Sequence, residues 1–206
     1  MKKIKLLIVV LGTIGLSHAA KAQKGTFKLD LNYNYSLPTG SFKSDLVSDN
    51  SPRGFMGALL YSFSDKLSAG VAFGYQDFYQ KYPRAVYLIN KTQDISAVLS
   101  NSIQTTPFLL KAKYFPLESS YLKPYISIGA GANVIQYHQY LGEFSSGQTN
   151  VGFRAQGGLG LQIPFSKLSS SGINLGADYD YAPYNKLGYS DLNTINFQAG
   201  VTINLR

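Results

Sequence analysis

Apolar and polar residues alternate without a break along the segment from Ile173 to Tyr181. Two acids, Asp178 and Asp180, fall at polar positions of this alternation, with Ala177, Tyr179 and Tyr181 around them. A strict period of two is typical of a β-strand with two unlike faces. The segment therefore places both carboxylates on one face. The rest of the chain must decide whether they serve catalysis, metal binding or a structural ion pair.

The same alternation recurs in seven further segments, and we find no helical periodicity of comparable strength. It predicts eight strands, near residues 27–35, 55–63, 67–75, 108–114, 126–134, 153–163, 173–181 and 195–205. An even number of antiparallel strands in up-and-down order can close into a barrel and so remove both edge strands. The sequence thus predicts an all-β fold, an eight-stranded antiparallel up-and-down β-barrel.

The connections between the predicted strands are of two kinds. Polar or glycine-containing stretches predict loops at 41–53, 137–149 and 183–191, whereas 64–66, 116–120 and 165–172 predict shorter turns. The stretch 80–101 has mixed character, and a short strand or helix near 85–89 stays open. Pro107 lacks a backbone donor, so we expect a bulge or a local break in the sheet beside it.

Side-chain volume decides which face of the barrel points outward. An eight-stranded barrel encloses room only for side chains or one small ligand. The apolar faces carry many Phe, Tyr, Leu and Ile residues, too bulky for that space, whereas the opposite faces are rich in Gly, Ala, Ser, Asn and Gln. Aromatic residues also gather near the strand ends, as they do at membrane interfaces. These features favour a transmembrane barrel over a soluble, lipocalin-like barrel.

The first residues indicate export. Lys2, Lys3 and Lys5 precede an apolar run at 6–16, and an Ala-Lys-Ala site follows, so a signal peptide is predicted over 1–22 and the barrel domain over 23–206. The run is shorter than the ~20 residues that a membrane-spanning helix needs. The chain has no Cys, which excludes a lipid-anchored lipoprotein. Without the four signal-peptide lysines the net charge falls from +8 to +4, and the scattered basic residues predict no nucleic-acid partner.

Three stretches carry a resemblance to a known family: Tyr61-Ser-Phe-Ser-Asp-Lys-Leu-Ser-Ala-Gly70, Lys123-Pro-Tyr-Ile-Ser-Ile-Gly-Ala-Gly131 and the amphipathic closing strand. The chain resembles the small outer-membrane barrels of the OmpA/OmpX type, the family called outer membrane protein beta-barrel domain. Gln23 after the cleavage site is similar to secreted proteins of Bacteroidetes. The resemblance implies a monomer in the cell outer membrane, surrounded by its lipid and inserted by the barrel assembly machinery. The closing Asn-Leu-Arg departs from the terminal aromatic residue of such barrels.

Seven charged residues fall on the predicted inner face. We expect them to form a lumen charge network of ion pairs that plugs the barrel, because buried charges must be paired. Folding the hairpin about 165–172 brings Arg154 near the height of Asp180. The alternative is a charged path for ions or a small binding site. The seven residues are Lys28, Asp30, Lys111, Lys113, Arg154, Asp178 and Asp180.

Catalysis finds little support in the sequence. Asp178 and Asp180 face a filled lumen, whereas a pair of catalytic acids needs a cleft that holds substrate. His138 is the only histidine after the signal peptide; lipid A deacylase barrels carry a Ser two residues after their His, where this chain has Tyr140. No metal-ligand cluster or phosphate-binding loop is recognisable. We therefore predict a protein that is not an enzyme and that uses no cofactor or metal.

Aromatic residues in the longer loops form the other candidate site. Exposed tyrosines suit recognition of an extracellular protein or glycan, although they are also common at membrane interfaces. The sequence thus favours a structural or surface-interaction barrel, with a narrow channel as the alternative and a lipid-modifying enzyme built on His138 as a third hypothesis. The loop aromatics are Tyr82, Tyr87, Tyr140, Phe144, Tyr184 and Tyr189.

Overall fold

A computed structural model describes residues 25–90, 93–117, 121–166, 171–186 and 189–205, with side chains outside 88–93 and 185–190. The predicted signal peptide, 1–22, lies outside the described residues. Among them, no helix is both long enough and apolar enough to cross a membrane.

Eight long strands form a closed antiparallel barrel, which confirms the predicted fold. These strands are β1 Phe27–Pro38, β2 Ser51–Ser62, β3 Leu67–Lys81, β6 Leu99–Tyr114, β7 Lys123–Leu141, β8 Phe144–Pro164, β9 Gly172–Tyr181 and β12 Thr194–Leu205. Around the barrel, each strand is hydrogen-bonded to its neighbours in the order β1-β12-β9-β8-β7-β6-β3-β2, and β1 also pairs with β2.

The four shorter strands form two hairpins outside the barrel wall. They are β4 Ala85–Asn90 with β5 Gln93–Ala97, and β10 Pro183–Lys186 with β11 Tyr189–Asp191. Both hairpins lie at the end of the barrel that we call the loop end. The opposite end, where β1 begins and β12 ends, we call the terminal end.

The two faces of each strand lie in opposite environments, as the volume argument predicts. Leu110, Ile128 and Leu159 point outward and are 72%, 65% and 64% exposed, whereas inward residues such as Asp180 are buried. The outward apolar run from Phe27 to Tyr35 covers a band roughly 20 Å tall, at about 3.3 Å per residue and a tilt of about 40°. That height is close to the ~25 Å apolar band of outer-membrane barrels.

The prediction of a loop at 137–149 is wrong. β7 and β8 continue through it as paired strands, from Gln136 opposite Thr149 to Leu141 opposite Phe144. A two-residue turn closes the hairpin, and Gly142 takes the positive φ of 60° that such turns require. The polar composition has a different cause: apart from the buried Tyr137, the stretch lies above the apolar band, and residues 142–149 are exposed on both faces of the hairpin, so no apolar face is needed there.

The polar loops predicted at 41–53 and 183–191 also contain ordered structure. A π-helical turn, Phe42–Leu46, inserts Phe42, Leu46 and Val47 into the barrel mouth, where they are at most 2% exposed. The 183–191 stretch forms the β10–β11 hairpin. The stretch 80–101, which the sequence left open, extends β3 and β6 and forms the β4–β5 hairpin between them.

The pairing of β3 with β6 lapses beside Pro107. Pairs are formed at Phe73 with Phe108 and again at Gln76 with Thr105, in the same register. On its other side Pro107 remains paired with Asn133 of β7. The predicted local break is therefore confirmed, and it affects one ladder only.

The barrel lumen as candidate functional site

The first of three buried ion pairs joins Arg154 of β8 to Asp180 of β9. Strand alternation turns both side chains inward, and the β8–β9 register places Gln156 opposite Asp180. An Arg154 guanidinium nitrogen binds Oδ2 of Asp180, which is 0% exposed. Asp180 also accepts hydrogen bonds from Gln156 Nε2 at 3.0 Å, from Thr194 Oγ1 at 3.2 Å and from Asn196 Nδ2. This carboxylate of β9 is therefore held by side chains of its two neighbouring strands, β8 and β12.

A second ion pair lies one layer closer to the terminal end. Lys111 Nζ is 3.7 Å from Asp178 Oδ2 and donates to Gln156 Oε1 at 2.9 Å. Asp178 accepts from Ser127 Oγ at 3.1 Å and from Gln198 Nε2. Because Gln156 donates to Asp180 and accepts from Lys111, it links the two ion pairs into one hydrogen-bonded array.

The third ion pair lies beside this array, near the terminal end. Lys113 Nζ lies 2.7 Å from Asp30 Oδ2 and 4.2 Å from the centre of the Tyr125 ring. Thr202 Oγ1 donates to Asp30 Oδ1 at 2.6 Å. Lys28 is placed differently, since its Nζ lies 5.7 Å from the centre of the Phe115 ring. The structure thus brings six of the seven predicted residues together as three ion pairs, and leaves Lys28 beside them at the terminal end.

Several uncharged lumen residues also contact the three ion pairs, and they were not predicted from the sequence. They share the inward parity of the charged residues, and this parity is the signal that could have found them. They are Tyr125, Ser127, Gln156, Thr194, Asn196, Gln198 and Thr202.

An apolar plug fills the lumen at the loop end. It combines the π-helical turn with inward residues of the wall and with the segment that carries β10 and β11. The sequence did not reveal it, because half of its members come from stretches predicted as loops. The plug consists of Phe42, Leu46, Val47, Phe78, Ile103, Ile135, Tyr137, Ala182, Tyr184 and Leu192.

Tyr184 therefore belongs to the plug, and its placement among the exposed loop aromatics is wrong. It is 4% exposed, and its hydroxyl accepts a hydrogen bond from Asn150 Nδ2 at 3.1 Å. Burial raises the pKa of the Tyr184 phenol, while the hydrogen bond from Asn150 acts in the opposite direction. Tyr140 and Phe144 are exposed as predicted, 44% and 57% respectively. The side chain of Tyr189 lies outside the described residues.

Tyr125 points into the lumen at the terminal end, and its ring packs against two glycines of β8 and β9. A Cβ on Gly160 would overlap the Tyr125 ring and lie 2.5 Å from the carbonyl oxygen of Leu175. A Cβ on Gly176 would lie 2.8 Å from the Tyr125 hydroxyl oxygen. These glycines therefore make the space that the large ring occupies.

Replacing Gly160 by alanine is expected to destabilise the barrel by about 1–3 kcal/mol, the usual cost of overpacking. Gly157→Ala is the matched control in the same strand, because a Cβ there meets nothing within 4 Å. Urea unfolding of the refolded proteins in lipid vesicles measures both. Equal stability of the two variants would contradict this account of the Tyr125 packing.

The described residues contain no group of three or more His, Cys, Asp or Glu side chains placed to hold a metal ion. His138 lies on the outer face of β7, and its ring stacks on Tyr140 with the ring centres 6.3 Å apart. Ser102 is its partner in β6 and donates to Asp77 Oδ1 at 3.4 Å. In the described part of the chain, no hydrogen bond joins His138 to Ser102.

Solved structures of similar shape include Neisserial surface protein A, 16% identical, with a TM-score of 0.49 over 89% of this chain and 100% of that one. OprG of Pseudomonas aeruginosa is 16% identical, with a TM-score of 0.47 over 90% and 98%. Outer membrane protein W of E. coli is 18% identical, with a TM-score of 0.45 over 89% and 99%.

No curated protein sequence matches the chain. The Bacteroidetes-type origin stays a prediction. The family model described as outer membrane protein beta-barrel domain matches residues 6–204. The chain therefore belongs to the outer membrane protein beta-barrel domain family, and its place is the cell outer membrane.

Proposed function

We propose that this protein is a structural or surface-interaction barrel whose lumen is closed by its own side chains. The observation that carries this proposal is the pairing of Lys111, Lys113 and Arg154 with three carboxylates beneath an apolar plug. Charges that line an open ion path face water, whereas these residues are at most 5% exposed. Outer-membrane lipid surrounds the barrel, and a partner outside the cell would meet the loop end.

Conductance separates this proposal from the channel alternative. In planar bilayers the refolded protein is expected to show no steady current, because ion pairs and plug fill the cross-section. Asp180→Asn should be equally silent. Heat-modifiable migration on gels serves as the control that both proteins are folded. A steady wild-type current that changes in Asp180→Asn would establish a narrow channel and overturn the closed-lumen proposal.

Chemical labelling tests whether the loop end faces outward. Barrels of this class place short turns in the periplasm and longer loops outside. Because the chain has no Cys, single cysteines can be introduced at Val86 in β4 and at Asp65 in the turn after β2. A membrane-impermeant maleimide should label Val86→Cys on intact cells but Asp65→Cys only after lysis. The reverse pattern would remove the proposed surface role.

The absence of enzymatic activity remains a prediction. Its specific rival is lipid modification at His138, which lies on the outer wall above the apolar band. Lipid A from cells that express the wild type or His138→Ala is expected to give identical mass spectra. A modification present only with the wild type would make His138 a catalytic residue. Monomeric state, insertion by the barrel assembly machinery and removal of residues 1–22 likewise stay proposals.

A further inference from the structure

A small chamber lies in the lumen where the apolar plug meets the Arg154–Asp180 ion pair. It leaves about 10 Å³ for the centre of a water molecule. Two plug residues cover it on one side, and polar side chains of β3, β6, β7, β8 and β12 form the rest of its wall. The lining residues are Gln76, Phe78, Thr105, Asn133, Arg154, Leu192 and Thr194.

Four of the lining side chains carry a polar atom that has no hydrogen bond to any other described protein atom. These atoms are Nε of Arg154, Oγ1 of Thr105, Oδ1 of Asn133 and Oε1 of Gln76. The four residues are at most 5% exposed, so bulk water does not reach them. An unsatisfied buried polar group costs about 1–3 kcal/mol. Four such atoms on the wall of one chamber therefore favour a shared partner.

We propose that the chamber is a binding site for one ordered water molecule, held by Arg154, Thr105 and Asn133. The Nε–H of Arg154 can donate to the water oxygen, and the water can donate to Oδ1 of Asn133. The Thr105 hydroxyl can act in either direction. Buried waters make about three hydrogen bonds and need roughly 10–15 Å³ measured in this way. Both the chemistry and the size of the chamber fit this ligand.

The residues that line the chamber disfavour an ion as its occupant. The Arg154 guanidinium repels a cation, and the carbonyl oxygen of Asn133 disfavours an anion. The chamber is also too small for a hydrated ion. Water is the neutral molecule of this size that both donates and accepts.

The bound water links side chains of three strands: Thr105 of β6, Asn133 of β7 and Arg154 of β8. It bridges Arg154, and through it the ion pair with Asp180, to β6 and β7 directly beneath the plug. The inference goes beyond the closed-lumen function and stands apart from it, since a narrow channel could hold the same water.

A crystal structure at a resolution that shows ordered water tests the site directly. One fully occupied peak is expected within hydrogen-bond distance of Arg154 Nε and Thr105 Oγ1, and it should persist in crystals soaked in bromide without anomalous signal. Oxygen-17 relaxation dispersion should count one fewer long-lived water in Thr105→Val than in the wild type. Thr149→Val, the same change at an exposed position of β8 outside the lumen, should keep the wild-type count.

Two results would overturn the proposal. The first is a chamber in which Arg154 Nε, Thr105 Oγ1 and Asn133 Oδ1 bind one another or stay unpartnered, with no density between them. The second is an unchanged water count in a folded Thr105→Val protein. Should Thr105→Val fail to refold, Asn133→Leu provides the second variant, because leucine removes the acceptor and fills the chamber.

Discussion

Replacing Asp180 by leucine is expected to lower the free energy of unfolding by about 3–5 kcal/mol, because Arg154 then remains buried without a counter-charge. Arg154→Met should lower the free energy of unfolding by a similar amount, because the Asp180 carboxylate then remains buried without its cation. The measurement is urea unfolding of the refolded barrel in lipid vesicles. Far-ultraviolet circular dichroism can follow it, as the chain contains no Trp.

The double variant Arg154→Met/Asp180→Leu supplies the decisive comparison. Removing both charges takes away the desolvation cost together with the attraction, so the double variant should regain at least half of the lost stability. Asp49→Leu, at an exposed loop position, is the control and should change stability by less than about 0.5 kcal/mol. Additive losses in the double variant would show that the two side chains do not act as a buried pair.

Leu110→Arg is expected to destabilise the folded protein in lipid vesicles by about 2–4 kcal/mol, the cost of an arginine near the bilayer midplane. Leu110 points outward in the apolar part of β6, between Phe108 and Tyr114. Its exposed fraction is 72%, close to the 67% of Val86 in the β4–β5 hairpin. Val86→Arg should be almost neutral, because that hairpin lies beyond the apolar band.

This pair of variants distinguishes lipid from water as the surroundings of the wall. Both substitutions place an arginine on a surface residue, so a barrel in water would tolerate them equally. A loss of stability in Leu110→Arg but not in Val86→Arg indicates that Leu110 faces the hydrocarbon of the bilayer. Equal stability of the two variants in vesicles would contradict the proposed membrane position of β6.

The fold was predictable from the sequence because strand alternation has a period of two and each face has one kind of surroundings. In β9 the residues Asp178 and Asp180 could be placed inside from the pattern and from side-chain volume alone. The loops were not predictable in the same way. Within the stretch 137–149, residues 142–149 are mostly polar because they meet water, and polarity there does not distinguish a loop from a strand.

The apolar plug could not be predicted from the sequence for a different reason. Phe42, Leu46 and Val47 lie in an otherwise polar segment, and no local pattern says that they turn into the barrel mouth. Their burial depends on Phe78, Ile103 and Ile135, which lie far away in the sequence. Such contacts are decided only when the barrel closes.

The sequence by itself determined the strands, the outward apolar face and the inward position of the seven charged residues, since these follow from alternation and volume. Only the tertiary structure decided which charges meet, because partners are set by the register between strands. That register joins Lys113 to Asp30, Lys111 to Asp178 and Arg154 to Asp180. It also gathers Thr105, Asn133 and Arg154, which are distant in the chain, around a chamber of the size of one water molecule.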